Sequence, residues 1–335
     1  MKLAKAAQVA AGMAATALVL SACGGSGNGG DGGDGGGGAA GESVKIGISQ
    51  IQSHPSLDAV REGFKTGLEE AGYTDVQYDE QNPQGDQATN TAIAGQFAAD
   101  SEIDLVLGIS TPSAQALTQS VTGVPVVFSA VTDPVEASLV ESLEAPGGNV
   151  TGTSDKNPVK EQLQLLQELS PKAKKVGIVY SSGEVNSQVQ VDWAKEAADE
   201  LGLTIEVAAI SASSEVQQAA AGLDVDAFYV PTDNAVVSAL EGLLQVAQDK
   251  GVPVISADGS SVERGATATY GINYEKLGEQ TGRMAARILD GEADPATTPV
   301  ETIEEVELYV NTTAAEKVGV EIPQEMLDEA AEVYE

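Results

Sequence analysis

From residue 44 onward, short β-branched runs alternate with stretches whose apolar side chains recur every three or four positions. VKIGISQ (44–50) predicts a strand. In SLDAVREGFKTGLEEAG, Leu57, Val60, Phe64, Leu68 and Ala71 fall on one stripe of a helix, and VQYDE follows as a second strand. IDLVLGI (103–109) and VPVVFSA (124–130) continue the rhythm. Such alternation predicts parallel strands with helices on both faces of the sheet. A second block begins at Asn157-Pro158, where a cap precedes proline at the first helical position and Val159, Leu163, Leu166 and Leu169 form the apolar side. KKVGIVYSS (174–182), a helical stretch around Trp193, LTIEVAAI (203–210), VDAFYVPT (225–232) and VPVISAD (252–258) complete it.

The two blocks correspond position by position. Gly47 in KIGIS matches Gly177 in KVGIV, an offset of 177 minus 47, or 130, and Gly72 matches Gly202 at the same offset. LVLGISTPSAQAL (105–117) lies over AFYVPTDNAVVSAL (227–240), with Thr111 on Thr232, and GVPV recurs at 123 and 251. Two α/β halves of similar topology are expected, and facing halves present the carboxyl ends of their strands to a shared crevice.

The N-terminus stands apart from this pattern. MKLAKAAQVAAGMAATALVLSAC places Lys2 and Lys5 before an apolar run from Ala6 to Leu20, which predicts an export signal over residues 1–22. Leu20-Ser21-Ala22-Cys23 resembles a bacterial lipobox, implying lipidation of Cys23, the only cysteine. Residues 24–41, almost pure glycine, predict a flexible tether, so 23–42 joins the lipid to the folded part. About 290 residues remain, long for one core and natural for two lobes.

Charge narrows the partners. The chain carries 51 acidic against 17 basic residues, a net −34, and loss of Lys2 and Lys5 would leave 15 minus 51, or −36. That surface repels nucleic acid and anionic headgroups.

Catalytic signatures do not emerge. His54 is the only histidine, and no G-x-S-x-G elbow, phosphate-binding G-x-x-x-x-G-K-[ST], His/Cys metal cluster or G-x-G-x-x-G after a strand accompanies it. Binding is therefore expected over catalysis, with no cofactor and no metal. Thr111-Pro112-Ser113 opens a helix after a strand, a cap whose free N–H groups suit a carboxylate. Thr232, Asp233 and Asn234 occupy the matching place in the second half, offering a hydroxyl, a carboxylate and an amide. Asp133 and Asp258 follow the doubled fourth strand; as a pair they suit an ammonium, although Asp-Pro and Asp-Gly are also ordinary turn signals. Asn82, Gln84 and Asp86 are expected to form a turn and a cap, and Trp193 to lie in the core or on a lobe surface.

GISQIQSHPSLDAVREGFKTGLEEAGY, QNPQGDQ, STPSAQAL, VFSAVTDPV, GGNVTGTSD, VPTDNAVVSA and ATYGINYEKLGEQTGRMAARILDGE together resemble the ABC-transporter substrate-binding lipoproteins of the tryptophan/tyrosine-binding type. The resemblance runs from about residue 43 to about 320. It implies a type I periplasmic-binding-protein fold, with two Rossmann-like lobes and a hinge: 43–154 plus 272–296 as one lobe, 155–271 plus 297–335 as the other. It implies a monomer, lipid-anchored at the extracytoplasmic face of the cell membrane, that passes an aromatic amino acid to an ABC permease. Carried over by position, it places His54, Thr111, Ser113, Asp133, Asp155, Thr232, Asp233 and Asn234 around the cleft. Thr111 and Ser113 are then expected at the ligand's α-carboxylate and Asp133 or Asp233 at its α-ammonium. Only 4% of the chain is aromatic; Tyr180, Phe128 and Tyr270 are the candidate rings near the ligand, and otherwise an aliphatic side-chain pocket is expected. The alternatives are a sensor, a sugar or nucleoside ligand, and, less favoured, a hydrolase using the cleft.

Overall fold

The computed structural model describes residues 43–303 and 306–335, and the expected export signal, Cys23 and glycine tether lie outside them. The first half contributes β1 (Val44–Gln50), α1 (Pro55–Glu70), β2 (Val76–Gln81), α2 (Gln87–Ala99), β3 (Leu105–Ile109), α3 (Thr111–Ser120), β4 (Val126–Val131) and β5 (Val150–Ser154). The second contributes α4 (Val159–Leu169), β6 (Lys175–Ser181), α5 (Val185–Leu201), β7 (Thr204–Ile210), α6 (Val216–Gly222), β8 (Ala227–Val230), α7 (Asn234–Ser238), α8 (Leu240–Lys250), β9 (Val254–Ser256), α9 (Gly259–Glu263) and β10 (Ala268–Gly271). The remainder is α10 (Tyr274–Leu289), β11 (Glu301–Thr302), β12 (Glu307–Asn311), α11 (Thr312–Lys317), α12 (Gln324–Glu329) and β13 (Glu332–Tyr334).

The strands form two sheets, in the orders β11-β5-β4-β3-β1-β2 and β13-β12-β10-β9-β8-β6-β7. Within each, the second strand of the half lies outside the first and the third and fourth lie on its other side, so the repeat in sequence is a repeat in topology. Neighbours are parallel except β12, which runs antiparallel to β10. Every residue of β3 and of β8 is buried, as a sheet covered on both faces requires. In the first lobe, Phe64, Leu68 and Leu277 cover one face, while Phe97, Leu117 and Val121 cover the other. Each such side chain contributes about 1.5–3 kcal/mol by leaving water. The fold is thus a two-lobed α/β protein.

Glycines set the distance between α1 and α10. A Cβ at Gly63 would lie 2.2 Å from Glu275 O and one at Gly67 2.2 Å from Glu279 O; Gly278 and Gly282 meet Val60 O and Phe64 O at 2.2 and 2.3 Å. Any side chain there would drive the helices apart; α10 itself starts at Tyr274, where Asn273 caps it by accepting from Lys276 N.

The chain passes between the sheets three times: after Ser154, after Gly271, and between Thr302 and Glu307. The last passage corrects the expected boundary at 297, because Glu301 and Thr302 pair with Thr153 and Ser154 of the first sheet.

Candidate functional site

The carboxyl ends of both sheets face one another and are bridged. Ser56 Oγ of α1 donates to Asp258 Oδ1 at 2.9 Å and lies 2.7 Å from Ser260 Oγ. Asn234 Nδ2 donates to Ser110 Oγ at 3.0 Å, and the Thr132 and Thr232 hydroxyls are 3.4 Å apart. Each pair joins a residue of the first lobe to one of the second, so the lobes are closed on each other.

An inner cavity of ≈ 20 Å³, room for about one water, lies behind these bridges; His54, Ser110, Asp155, Asn186, Asp258 and Tyr274 line it, with Thr132, Thr232 and Asn234. An outer crevice of ≈ 430 Å³ opens between Gln52, Gln84 and Asp86 of the first lobe and Ser181, Glu184 and Ser213 of the second. Asn234 lines both spaces. Neither is lined by a lysine or an arginine. A cavity this small admits a solute only when the lobes part.

Local sequence positions these groups. Pro55 opens α1 and keeps His54 extended, at φ −157°, so its ring points away from the helix it precedes and makes no cap bond. His54 is 8% exposed, and neither ring nitrogen takes a protein partner; Asn186 Oδ1 and Thr111 Oγ1 are also buried and unpaired. Burial pushes the His54 imidazole below its ordinary value, against the pull of the Asp258 charge. Ser110 and Ala130, both lining the inner cavity, hold positive φ of 75° and 55° without being glycine. Such strain persists only where the surroundings impose it; Ser110 N donates to Ser129 O and Ser110 O accepts from Ala114 N.

Carboxylates dominate the electrostatics. Asp155, 2% exposed, accepts from Thr132 Oγ1 at 3.1 Å and from the Tyr274 hydroxyl at 2.8 Å, yet burial still raises it above the usual carboxylate range. Asp258 accepts from Ser56, Ser260 and Ser261 hydroxyls and from Ser261 N, which caps α9. Glu184, 9% exposed, accepts on Oε2 from Asn186 Nδ2 at 3.1 Å and from both the backbone N–H and the side-chain amide of Asn234. Burial first, and then the neighbouring Asp233 charge, push Glu184 up to about 7.

The structure gathers His54, Asp155, Thr232, Asn234 and Asp258 at the inner cavity. It does not bring Asp133 there: Asp133 accepts from Val135 N and Glu136 N in a turn. Asp233 is fully engaged in capping α7 through Val236 N and in accepting from Ser181 N. Thr111 and Ser113 are buried behind the cavity wall, and Ser113 accepts from Ser49 Oγ at 3.3 Å. Phe128 belongs to the first lobe's core, and Tyr180 and Tyr270 pack on the second lobe's; the ring at the cavity is Tyr274. Trp193 sits at the second lobe's surface under Lys156 Nζ, 5.0 Å from its ring. Asn82 makes the expected turn by accepting from Gln84 N, and Asp86 caps α2 through Thr89 N.

A two-lobed α/β fold closed over a cleft is the architecture of type I periplasmic binding proteins, and residues 45–334 match the family described as ABC transporter substrate binding protein. The chain belongs to that family. It is 45% identical over 271 residues to a tyrosine-binding protein of Clostridioides difficile, covering 79% of this chain and 78% of the relative. It resembles a Streptococcus pneumonia ABC domain solved in complex with L-Trp at TM-score 0.84 and 38% identity, over 87% of this chain and 100% of that one. To the ligand-free, open structure of a Clostridium difficile substrate binding protein with adhesive properties, the TM-score is 0.67 although identity is 43%, over 87% and 99% of the two chains. Shape therefore follows lobe arrangement more than identity here, in keeping with the closed bridges above.

Proposed function

We propose that this protein captures an aromatic amino acid between its lobes and delivers it to an ABC permease. The observation that carries this reading is the cleft itself: buried carboxylates, no lysine or arginine, and the unpaired polar atoms of His54 and Asn186. Buried polar groups almost always have partners, and buried carboxylates need a counter-charge. A zwitterion supplies both, its ammonium to the acids and its carboxylate to the start of α3, where no side chain caps the helix. The relatives' tyrosine and L-Trp support the aromatic class. Capture proceeds by hinge closure, since the closed cavity is too small to be entered. The protein does no chemistry on its ligand, acts as a monomer at the extracytoplasmic face, and is held there through Cys23 and the tether.

Thermal midpoints of refolded protein should be measured with each of the common amino acids and with ribose. A ligand at about 100 times its Kd stabilises by roughly 2.7 kcal/mol. The largest upward shift is expected with tyrosine or tryptophan. A shift with ribose and none with any amino acid would overturn the reading.

A further inference from the structure

We propose that Glu184 Oε1 is the acceptor for the ligand's α-ammonium, and so the residue that makes this cleft require an amine. The inference rests on the amino-acid reading above and names one group within it. Asp155, Asp258 and Glu184 are buried carboxylates that line the cleft, and Asp233 is buried beside it without lining either space; all but Glu184 have both oxygens occupied by protein donors. Asp155 holds Thr132 and Tyr274; Asp233 holds Val236 N and Ser181 N; Asp258 holds Ser56, Ser260 and Ser261. Glu184 differs: every donor it accepts from is on Oε2. Oε1 takes none from the described residues.

Position adds to this. Glu184 lines the outer crevice, which has no basic side chain, and its bonded amide belongs to Asn234, the residue shared with the inner cavity. A cation at Oε1 therefore lies at the junction of the two spaces, within reach of the α3 start through the Asn234–Ser110 bridge. It also supplies the counter-charge that a buried carboxylate lacks. Glu184 precedes α5 without capping it, so no local helix role uses its free oxygen. A hydroxyl could bond Oε1, but only a cation offsets the charge; that favours an ammonium over a polyol.

The test compares wild type, Glu184→Gln and Glu184→Asp by calorimetry, using L-tyrosine and L-tryptophan and their des-amino counterparts, 3-(4-hydroxyphenyl)propionate and indole-3-propionate. Truncating the charge partner of a desolvated ammonium lowers affinity by roughly 30- to 1000-fold. Glu184→Gln is expected to lose that much for the amino acid the wild type binds, and to change the des-amino acid by less than about 3-fold on the same scale. Glu184→Asp keeps the charge and recovers part of the loss. Equal losses for the amino acid and its des-amino counterpart would assign Glu184 only to holding Asn234 and overturn the proposal. So would unchanged amino-acid affinity in Glu184→Gln. A refolded wild type that binds neither amino acid refutes the function beneath the proposal, and is recognised before any substitution is made.

Discussion

His54 and Glu184 occupy the same station in the two lobes. They stand 184 minus 54, or 130, residues apart, the offset that also relates Gly47 to Gly177, and each precedes the helix after its lobe's first strand without capping it. Freed from capping, both side chains face the cleft, one a neutral base and the other an acid. The pseudo-symmetry of the fold thus delivers two complementary groups to one site.

The histidine makes the closed protein sensitive to acid. Burial, aided by the Arg264 charge, outweighs the upward pull of Asp258, Asn234 and Asp58 on His54, so its folded value lies below the ordinary 6.5. The unfolded chain takes up a proton that the folded one excludes, and stability relative to His54→Gln is therefore lost as pH falls below that value. Thermal midpoints of the two proteins near pH 7.5 and near pH 5.5, about one unit either side of the unperturbed histidine value, are expected to shift against wild type at the lower pH. A pH-independent difference would exclude the effect.

Asn234 ties Glu184 to the opposite lobe, donating to Glu184 Oε2 and to Ser110 Oγ. Asn234→Ala removes that bridge and takes from a buried carboxylate one of its two side-chain amide donors, at a cost of about 1–3 kcal/mol in the closed form. Ligand dissociation followed by stopped flow should accelerate roughly 5- to 150-fold by that energy. An unaltered rate would show that the bridge does not hold the lobes together.

The pairing of α1 with α10 is a matter of glycine. Gly67→Ala places a methyl 2.2 Å from Glu279 O and should destabilise by about 1–3 kcal/mol, whereas Gly95→Ala in α2 meets nothing within 4 Å and should be neutral or stabilising by up to about 1 kcal/mol. Urea unfolding midpoints of the two variants separate the cases. Equal effects would mean that helix propensity, and not the close approach, governs both positions.

Asp133 is expected to be a bystander. It caps a turn and lines neither space, so Asp133→Ala should leave affinity within about 3-fold, since truncating a residue without ligand contact costs little. A loss of 100-fold or more by calorimetry, near 2.7 kcal/mol, would return it to the site.

Strand and helix rhythm, the doubled halves and the crevice were legible because period and repetition are local signals. The third passage between lobes was not, since the two residues of β11 are too few to carry an alternation. Nor could the sequence separate Asp133 from Asp258: Asp-Pro and Asp-Gly are both turn signals, and only the packing of Ser56 against Asp258 brings one of them to the cleft. Tyr274 was hidden for a longer-range reason, because its hydroxyl reaches Asp155 only where four glycines let α10 approach α1. Glu184 was within reach: the 130-residue offset applied to His54 points to it.

The most direct test of capture is calorimetry on protein unfolded and refolded to remove carried-over ligand, titrated with tryptophan, tyrosine, phenylalanine, leucine and ribose. Binding of one aromatic amino acid at about 1 μM or tighter, near −8 kcal/mol, is predicted. Folded protein that gives no heat with any of the three aromatic amino acids would contradict it.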